Sequence, residues 1–394
     1  MTLPLEGVRI IAVEQYGAGP FGTQHLADMG AEVIKVENPN DGGEIGRHVG
    51  PYFFEEGDSH FYQSFNRNKK SITLDLKNPE HKAQLIELLK TADALYDNLR
   101  GDLPEKLGLT YDQLKAHNPA LVCCHLSAYG REGARKAWPG YDYLMQAEAG
   151  YCSLTGEPGG PPARFGISII DMMTGTTAAL ALVSALVGAR ATGVGRDIDV
   201  SLYDVAMHNI NYLGTWYLNE QVKTERTPRS AHPSLTPSQL YKTQDGWMFI
   251  MCNKEKFWAV LADIIGKPEW ATNDTYGNFK ARLANRDRLT EDLDAVLMQA
   301  TTAQWLERFG GQVPAAPVND VGQALDNPFA HEQGLIFDVD HPVRGSIKTL
   351  ACPIRCPGET RLNQPAPRLG AHNQSILGAL GRSAASLKKQ AGVS

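Results

Sequence analysis

The sequence predicts an α/β protein: a large domain built on a Rossmann-like, mainly parallel sheet, and a smaller α+β domain late in the chain. Three observations predict it. In the first 130 residues apolar strand-like runs alternate with helix-like stretches, the pattern of βαβ units. Near Asn209 this texture changes, and the polar, Pro-containing segment Thr224–Ser238 leads into a second set of strand and helix patterns. With 394 residues, 42% of them apolar and 21% charged, the chain can fill a large core and more than one domain.

Taken in order, Val8–Glu14 is a strand, and Gly17–Gly30 holds a glycine turn and a short helix. Ala31–Glu37 is a second strand, closing at Pro39, and Ser71–Leu76 a third. Pro79–Thr91 places Leu85, Leu88 and Leu89 on one helical face; Ala94–Asn98 is a fourth strand. Leu114–His117 ends another helix, and Leu121–His125 is a buried strand. In such a sheet ligands sit at the carboxyl ends of the strands, so the loops Tyr16–Gly22, Glu37–Gly43 and Asn98–Gly101 are expected to gather. Thr176–Gly188 is too short and too rich in small residues to span a bilayer and reads as a buried helix. Further on, Trp247–Cys252 is a strand, and Phe257–Ile265, Leu289–Leu297 and Thr302–Phe309 are helices. Phe337–Pro353 returns to strand-like alternation, and Ser383–Ser394 reads as a frayed tail. The division expected is 1–224 with 326–394 as the large domain and 225–325 as the small one.

A net charge of −6 without a long basic block argues against a nucleic-acid partner. No charged segment followed by an apolar one opens the chain, so neither a secretory leader nor a membrane association is expected. The six cysteines do not make a disulfide framework, and Cys352 and Cys356 lack a second pair at metal-ligand spacing. They read as reduced thiols of a cytoplasmic protein with no metal and no tightly bound cofactor.

One carboxylate stands out. Asp171, in Phe165-Gly-Ile-Ser-Ile-Ile-Asp-Met-Met-Thr-Gly175, is a single charge among apolar and small residues. Such a group loses hydration at a cost of several kcal/mol unless donors hold it. Either it caps the helix that follows, or it is a nucleophile or a catalytic acid/base.

Gly17-Ala-Gly-Pro-Phe-Gly22 is a G-x-G-x-x-G after a strand and before a helix, and the next strand ends in Glu37. That is the dinucleotide-binding pattern of nicotinamide-dependent oxidoreductases. Pro20 weakens it, since proline offers no N–H to a pyrophosphate.

From about Leu5 to Gly381 the chain resembles the class III CoA-transferases, the formyl-CoA and carnitine CoA-transferase family. The likeness is carried by Ala18-Gly-Pro, Gly30–Glu37, Asn66–Lys77, Asp97–Arg100, Leu107-Gly-Leu, Pro139–Asp142, Leu154–Pro158 and Gly193–Ala206. The resemblance implies a coenzyme A thioester as substrate, a carboxylic acid as its partner, and a homodimer of interlocked chains. It places Asp171 at the catalytic aspartate, and Ala18, Leu74, Lys77, Asn98, Arg100, Lys106 and Tyr141 on or beside CoA contacts. At Asn38 this chain departs from relatives with an arginine near the adenine. The related α-methylacyl-CoA racemases have Gly-His-Asp where this chain has Gly140-Tyr141-Asp142, and a racemase needs an acid and a base on opposite faces of the reacting carbon. Transfer is therefore favoured over racemisation, with a CoA-binding scaffold as the non-enzymatic alternative. Arg164, a bidentate carboxylate partner in waiting, and His232 are candidates to meet the acid, a dicarboxylate such as succinate, glutarate, itaconate or mesaconate; as surface or structural residues they would do neither.

Overall fold

The computed structural model describes residues 3–358 and 362–380, so the Ser383–Ser394 tail lies outside the described residues. Contacts divide the chain into two units: residues 1–150, 165–215 and 331–394, and residues 151–164 and 216–330.

The first unit is built on six parallel strands: β1 (Arg9–Val13), β2 (Glu32–Glu37), β3 (Lys70–Thr73), β4 (Ala94–Asp97), β5 (Val122–Ser127) and β6 (Arg196–Ser201). Their spatial order is β3-β2-β1-β4-β5-β6. Helix α1 (Ala18–Asp28) joins β1 to β2, and α2 (Pro79–Leu89) joins β3 to β4; α3 (Asp142–Glu148) and α4 (Ile169–Thr192) lie between β5 and β6 in sequence. The chain leaves β1 in one direction and returns at β4 in the other, which opens a crevice at the carboxyl ends of these two strands. Strands covered on both faces need continuous apolar runs, and β5 is buried at every residue. Ile11, Val13, Ile34, Val36, Leu95 and Cys123 pack with Leu85, Leu88 and Leu89 of α2 in one core.

Helix α4 packs on α1 and β5. It begins seven residues before the predicted Thr176 and is not buried all round. Ile170, Thr174, Ala178, Leu182, Leu186 and Ala189 face inward, whereas Leu180 and Val187 are each 67% exposed. Its length and composition alone would suit a membrane span; its inward face is a protein core. Two glycines set its distance from α1. A Cβ on Gly22 would lie 2.5 Å from the Gly175 carbonyl oxygen, and one on Gly175 would lie 2.4 Å from that of Ala18.

The second unit has an antiparallel sheet of β7 (Ser238–Lys242), β8 (Trp247–Met251) and β9 (Ala315–Pro317), with β8 central. Helices α5 (Glu255–Ile264), α6 (Arg286–Leu297) and α7 (Thr302–Phe309) cover it around Trp258, Leu293 and Trp305. The sequence reading puts 151–164, 216–224 and 326–330 in the large domain; contacts group them with the second unit. The guanidinium of Arg226 ties 151–164 there, donating to the carbonyls of Ser153 (3.1 Å), Gly160 (2.9 Å) and Pro161 (3.0 Å). A link made by one fork of donors to turn carbonyls leaves no periodic trace in sequence. The hairpin β10 (Ile336–His341) and β11 (Gly345–Leu350) also belongs to the first unit.

Candidate active site

The loop after β1 begins with an unusual residue. Tyr16 holds φ +66°, a left-handed conformation uncommon outside glycine. Its N–H donates to Glu44 Oε2 at 2.7 Å. Glu44 pairs in turn with Lys35 at 3.1 Å, and both side chains are buried. Each glycine of the G-x-G-x-x-G is then required by a close neighbour rather than by a pyrophosphate. A Cβ on Gly17 would stand 2.4 Å from Asp171 Oδ2, one on Gly19 2.7 Å from the Asn98 side chain, and Gly22 faces Gly175. Pro20 lies inside α1. Glu37, the would-be ribose ligand, is 2% exposed and engaged by Arg47 (2.7 Å) and Ser71 (2.6 Å). The nicotinamide reading fails on these contacts.

Across the crevice, Asn98 follows β4. Its Oδ1 accepts the Gln15 N–H at 2.8 Å and its Nδ2 donates to the Gln15 carbonyl at 2.7 Å, stitching the two loops together. Behind it His125 lies between Asp97 (2.6 Å) and Asp197 (3.0 Å). Burial alone would favour neutral imidazole, but the two carboxylates outweigh it and raise the pKa to about 9. The charged ring thus anchors the end of β4.

Asp171 sits in the first turn of α4, 6% exposed. It is not the cap expected of a structural aspartate: Ser168 holds the N-cap position, and among the described residues no donor bonds to the Asp171 carboxylate. The cap comes from α3. Asp142, 4% exposed, accepts the Asp171 backbone N–H at 2.9 Å. Gln146 fixes Asp142 with a 2.5 Å bond and receives the Phe165 N–H at 2.7 Å. Burial, reinforced by the Asp142 charge, pushes the Asp171 carboxyl up to about 7. A desolvated carboxylate shifted toward neutrality, with no donor among the described residues, marks a candidate functional group.

Asp171 lines a cavity of about 190 Å³ with Tyr16, Gly17, Ala18, Asn98, Arg100 and Tyr141. Four predicted ligand residues, Ala18, Asn98, Arg100 and Tyr141, are thus brought to it. Asn38 lines a neighbouring cavity of about 440 Å³, which shares Gln15 and Leu99 with the first. Its side chain accepts the Asn40 N–H at 3.2 Å and donates to Asp41 at 2.5 Å. Lys106 and Arg100 both hold Asp102, at 2.6 and 2.5 Å, and keep its carboxyl well below the usual range. Leu74 is 1% exposed in the apolar core and its N–H donates to the Glu37 carbonyl at 2.9 Å, so it offers a ligand no surface, whereas Lys77 is exposed. Arg164, exposed, and His232 belong to the second unit. His232 Nδ1 accepts the N–H groups of Ser234 and Leu235 at 3.1 Å each, which leaves the proton on Nε2.

Sequence reasoning missed Tyr16, Glu44 and the capping role of Asp142. Pro139–Asp142 was noted as a motif, but nothing in it tells that Asp142 bonds a backbone 29 residues away.

A crevice where the strand order reverses, with a buried carboxylate in it, is the place where an α/β enzyme binds and acts on its ligand. The chain belongs to CoA-transferase family III, whose sequence profile matches residues 5–373. It is 34% identical to the succinate–glutarate CoA-transferase of Agrobacterium fabrum, over 96% of both chains. It is 32% identical to the human succinyl-CoA:glutarate CoA-transferase, over 95% of this chain and 85% of that one. Among solved structures, a CAIB/BAIF family protein from Brucella suis superposes with a TM-score of 0.84 at 31% identity, covering 96% of this chain and all of the other.

Proposed function

We propose that the protein moves CoA from an acyl-CoA thioester to a free dicarboxylate, with Asp171 as the covalent carrier. The observation that carries this reading is the Asp171 carboxylate, buried, without a donor among the described residues and raised to about 7. Kinship with transferases named for succinate, glutarate and, at 30% identity in Haloarcula hispanica, mesaconate supports a dicarboxylate.

The ionised Asp171 attacks the thioester carbonyl carbon; the C–S bond breaks, CoA thiolate leaves and a mixed anhydride forms. The thiolate attacks the aspartyl carbonyl, releasing the first acid and leaving CoA as a thioester on Asp171. The incoming carboxylate attacks that carbonyl and expels thiolate, and the new anhydride returns its acyl group to CoA, freeing Asp171. The 11-residue α1 begins against the carboxylate, and its first-turn N–H groups at Ala18 and Gly19, which have no acceptor within the helix, suit an oxyanion or the thiolate. Burial keeps out the competing water. Arg100 and Lys106 are exposed cations for the CoA phosphates, and the Asn38 cavity is the place for the adenine end. Arg164 and His232 are the candidates for the far carboxylate of the acid. The exposed Leu180 and Val187 of α4 fit a surface covered by a second copy, as in an interlocked homodimer, and the compartment proposed is the cytoplasm.

Incubation with succinyl-CoA, trapping with borohydride or hydroxylamine, and peptide mapping tests this. A trapped product on the Asp171 peptide is expected, and Asp171→Asn is expected to lose transfer by more than about a thousandfold. An unmodified protein that binds CoA, or an active Asp171→Asn, would overturn the reading.

A further inference from the structure

We propose that Tyr16 sets the size of the acyl group the site accepts, an inference that rests on Asp171 being the acyl carrier. The mechanism above gives this side chain no role, yet the structure spends effort on it. A tyrosine at φ +66° is strained, and the strain is held by a buried clamp. Glu44 Oε2 takes both the Tyr16 N–H at 2.7 Å and the Gly46 N–H at 3.1 Å. Glu44 Oε1 meets Lys35 at 3.1 Å and Asn66 at 3.2 Å.

The result of this conformation is positional. The residue after Tyr16 is Gly17, whose missing Cβ would touch Asp171 Oδ2 at 2.4 Å, so residue 16 borders the reacting carboxylate. The ring lines the same cavity of about 190 Å³. It is braced from two sides, its centroid 5.1 Å from Phe61 and 6.4 Å, edge-on, from Tyr141. The left-handed backbone and the Phe61 contact hold the ring beside the cavity. An acyl group on Asp171 therefore meets the ring at this point, and its bulk is limited there.

The test compares kcat/KM for transfer from succinyl-CoA to isotope-labelled succinate, read as label exchange, and to glutarate, 3-methylglutarate and 3-phenylglutarate. Tyr16→Gly and Tyr16→Asn both remove the ring while tolerating the left-handed backbone, so the failure of one to fold leaves the other. Both are expected to raise the bulkiest acid relative to succinate at least tenfold. Tyr16→Phe, which keeps the ring, is expected to retain the wild-type ranking. An unchanged ranking in the Gly and Asn variants overturns the proposal, as does a uniform loss over all acids, which would make the ring a positioning group. Wild-type protein inactive with every acid, or an Asp171→Asn protein that still transfers, would instead overturn the carrier reading and this inference with it.

Discussion

Asp142 Oδ2 accepts the backbone N–H of Asp171 at 2.9 Å, so a carboxylate on one helix caps the terminus that carries the buried carboxylate of another. The arrangement frees the Asp171 side chain from capping its own helix. It also places a negative charge beside it, which together with burial makes ionisation costly.

That cost is a stability statement with a definite sign. A carboxyl raised to about 7 in the folded protein, against about 3.9 unfolded, binds its proton more tightly when folded. The stabilisation it lends is fully present below the unfolded pKa and is lost as pH rises through about 7. Asp171→Asn should therefore raise the melting temperature at pH 8 by several degrees, on the order of 3–4 kcal/mol at most. The gap should close toward pH 4. Calorimetry over pH 4–8 checks this; a destabilised variant at pH 8 would contradict it.

The acid limb of the rate profile follows from the same carboxylate. Transfer should fall below about pH 7 as Asp171 takes up its proton. Asp142→Asn removes the neighbouring charge but keeps an oxygen for the Asp171 N–H. Its limb should move to lower pH, though not to an ordinary aspartate value, because burial remains the larger cause. A limb that stays in place would show that Asp142 acts only as a cap.

Gly17→Ala should separate chemistry from folding. The new Cβ would meet a side-chain oxygen 2.4 Å away rather than backbone, and Asp171 can turn from it. Activity is expected to drop at least a hundredfold with the melting temperature within a few degrees of wild type. Titration of both in parallel measures it.

Two glycines of the same helix should respond oppositely. At Gly175 a Cβ would lie 2.4 Å from the Ala18 carbonyl oxygen and 3.0 Å from the Gly22 nitrogen, so α1 and α4 must part. Gly175→Ala should cost about 1–3 kcal/mol. Gly188 has only the Arg196 guanidinium at 3.9 Å, and Gly188→Ala should stabilise by roughly 0.5–1 kcal/mol through helix propensity. Urea midpoints at unchanged m report both.

The alternation of β1, α1, β2, α2 and β4, and the single charge of Asp171 in an apolar run, were legible because local patterns record burial on one face or two. Spacing and residue type were enough to propose the α/β class and a reactive carboxylate. Other features were not legible, because they depend on atoms far apart in the chain. The glycines 17, 19 and 22 match a pyrophosphate loop in sequence, and only the packing against Asp171, Asn98 and Gly175 gives them another purpose. Leu74 and Asn98 look alike as strand-end ligands, yet one faces the core and the other bridges to Gln15. The order of elements and the identity of the lone charge can be read from the residues in line. The Asp142 cap, the strained Tyr16 and the raised pKa of Asp171 arise only in the folded chain. Desolvation and hydrogen-bond geometry arise only once distant segments meet.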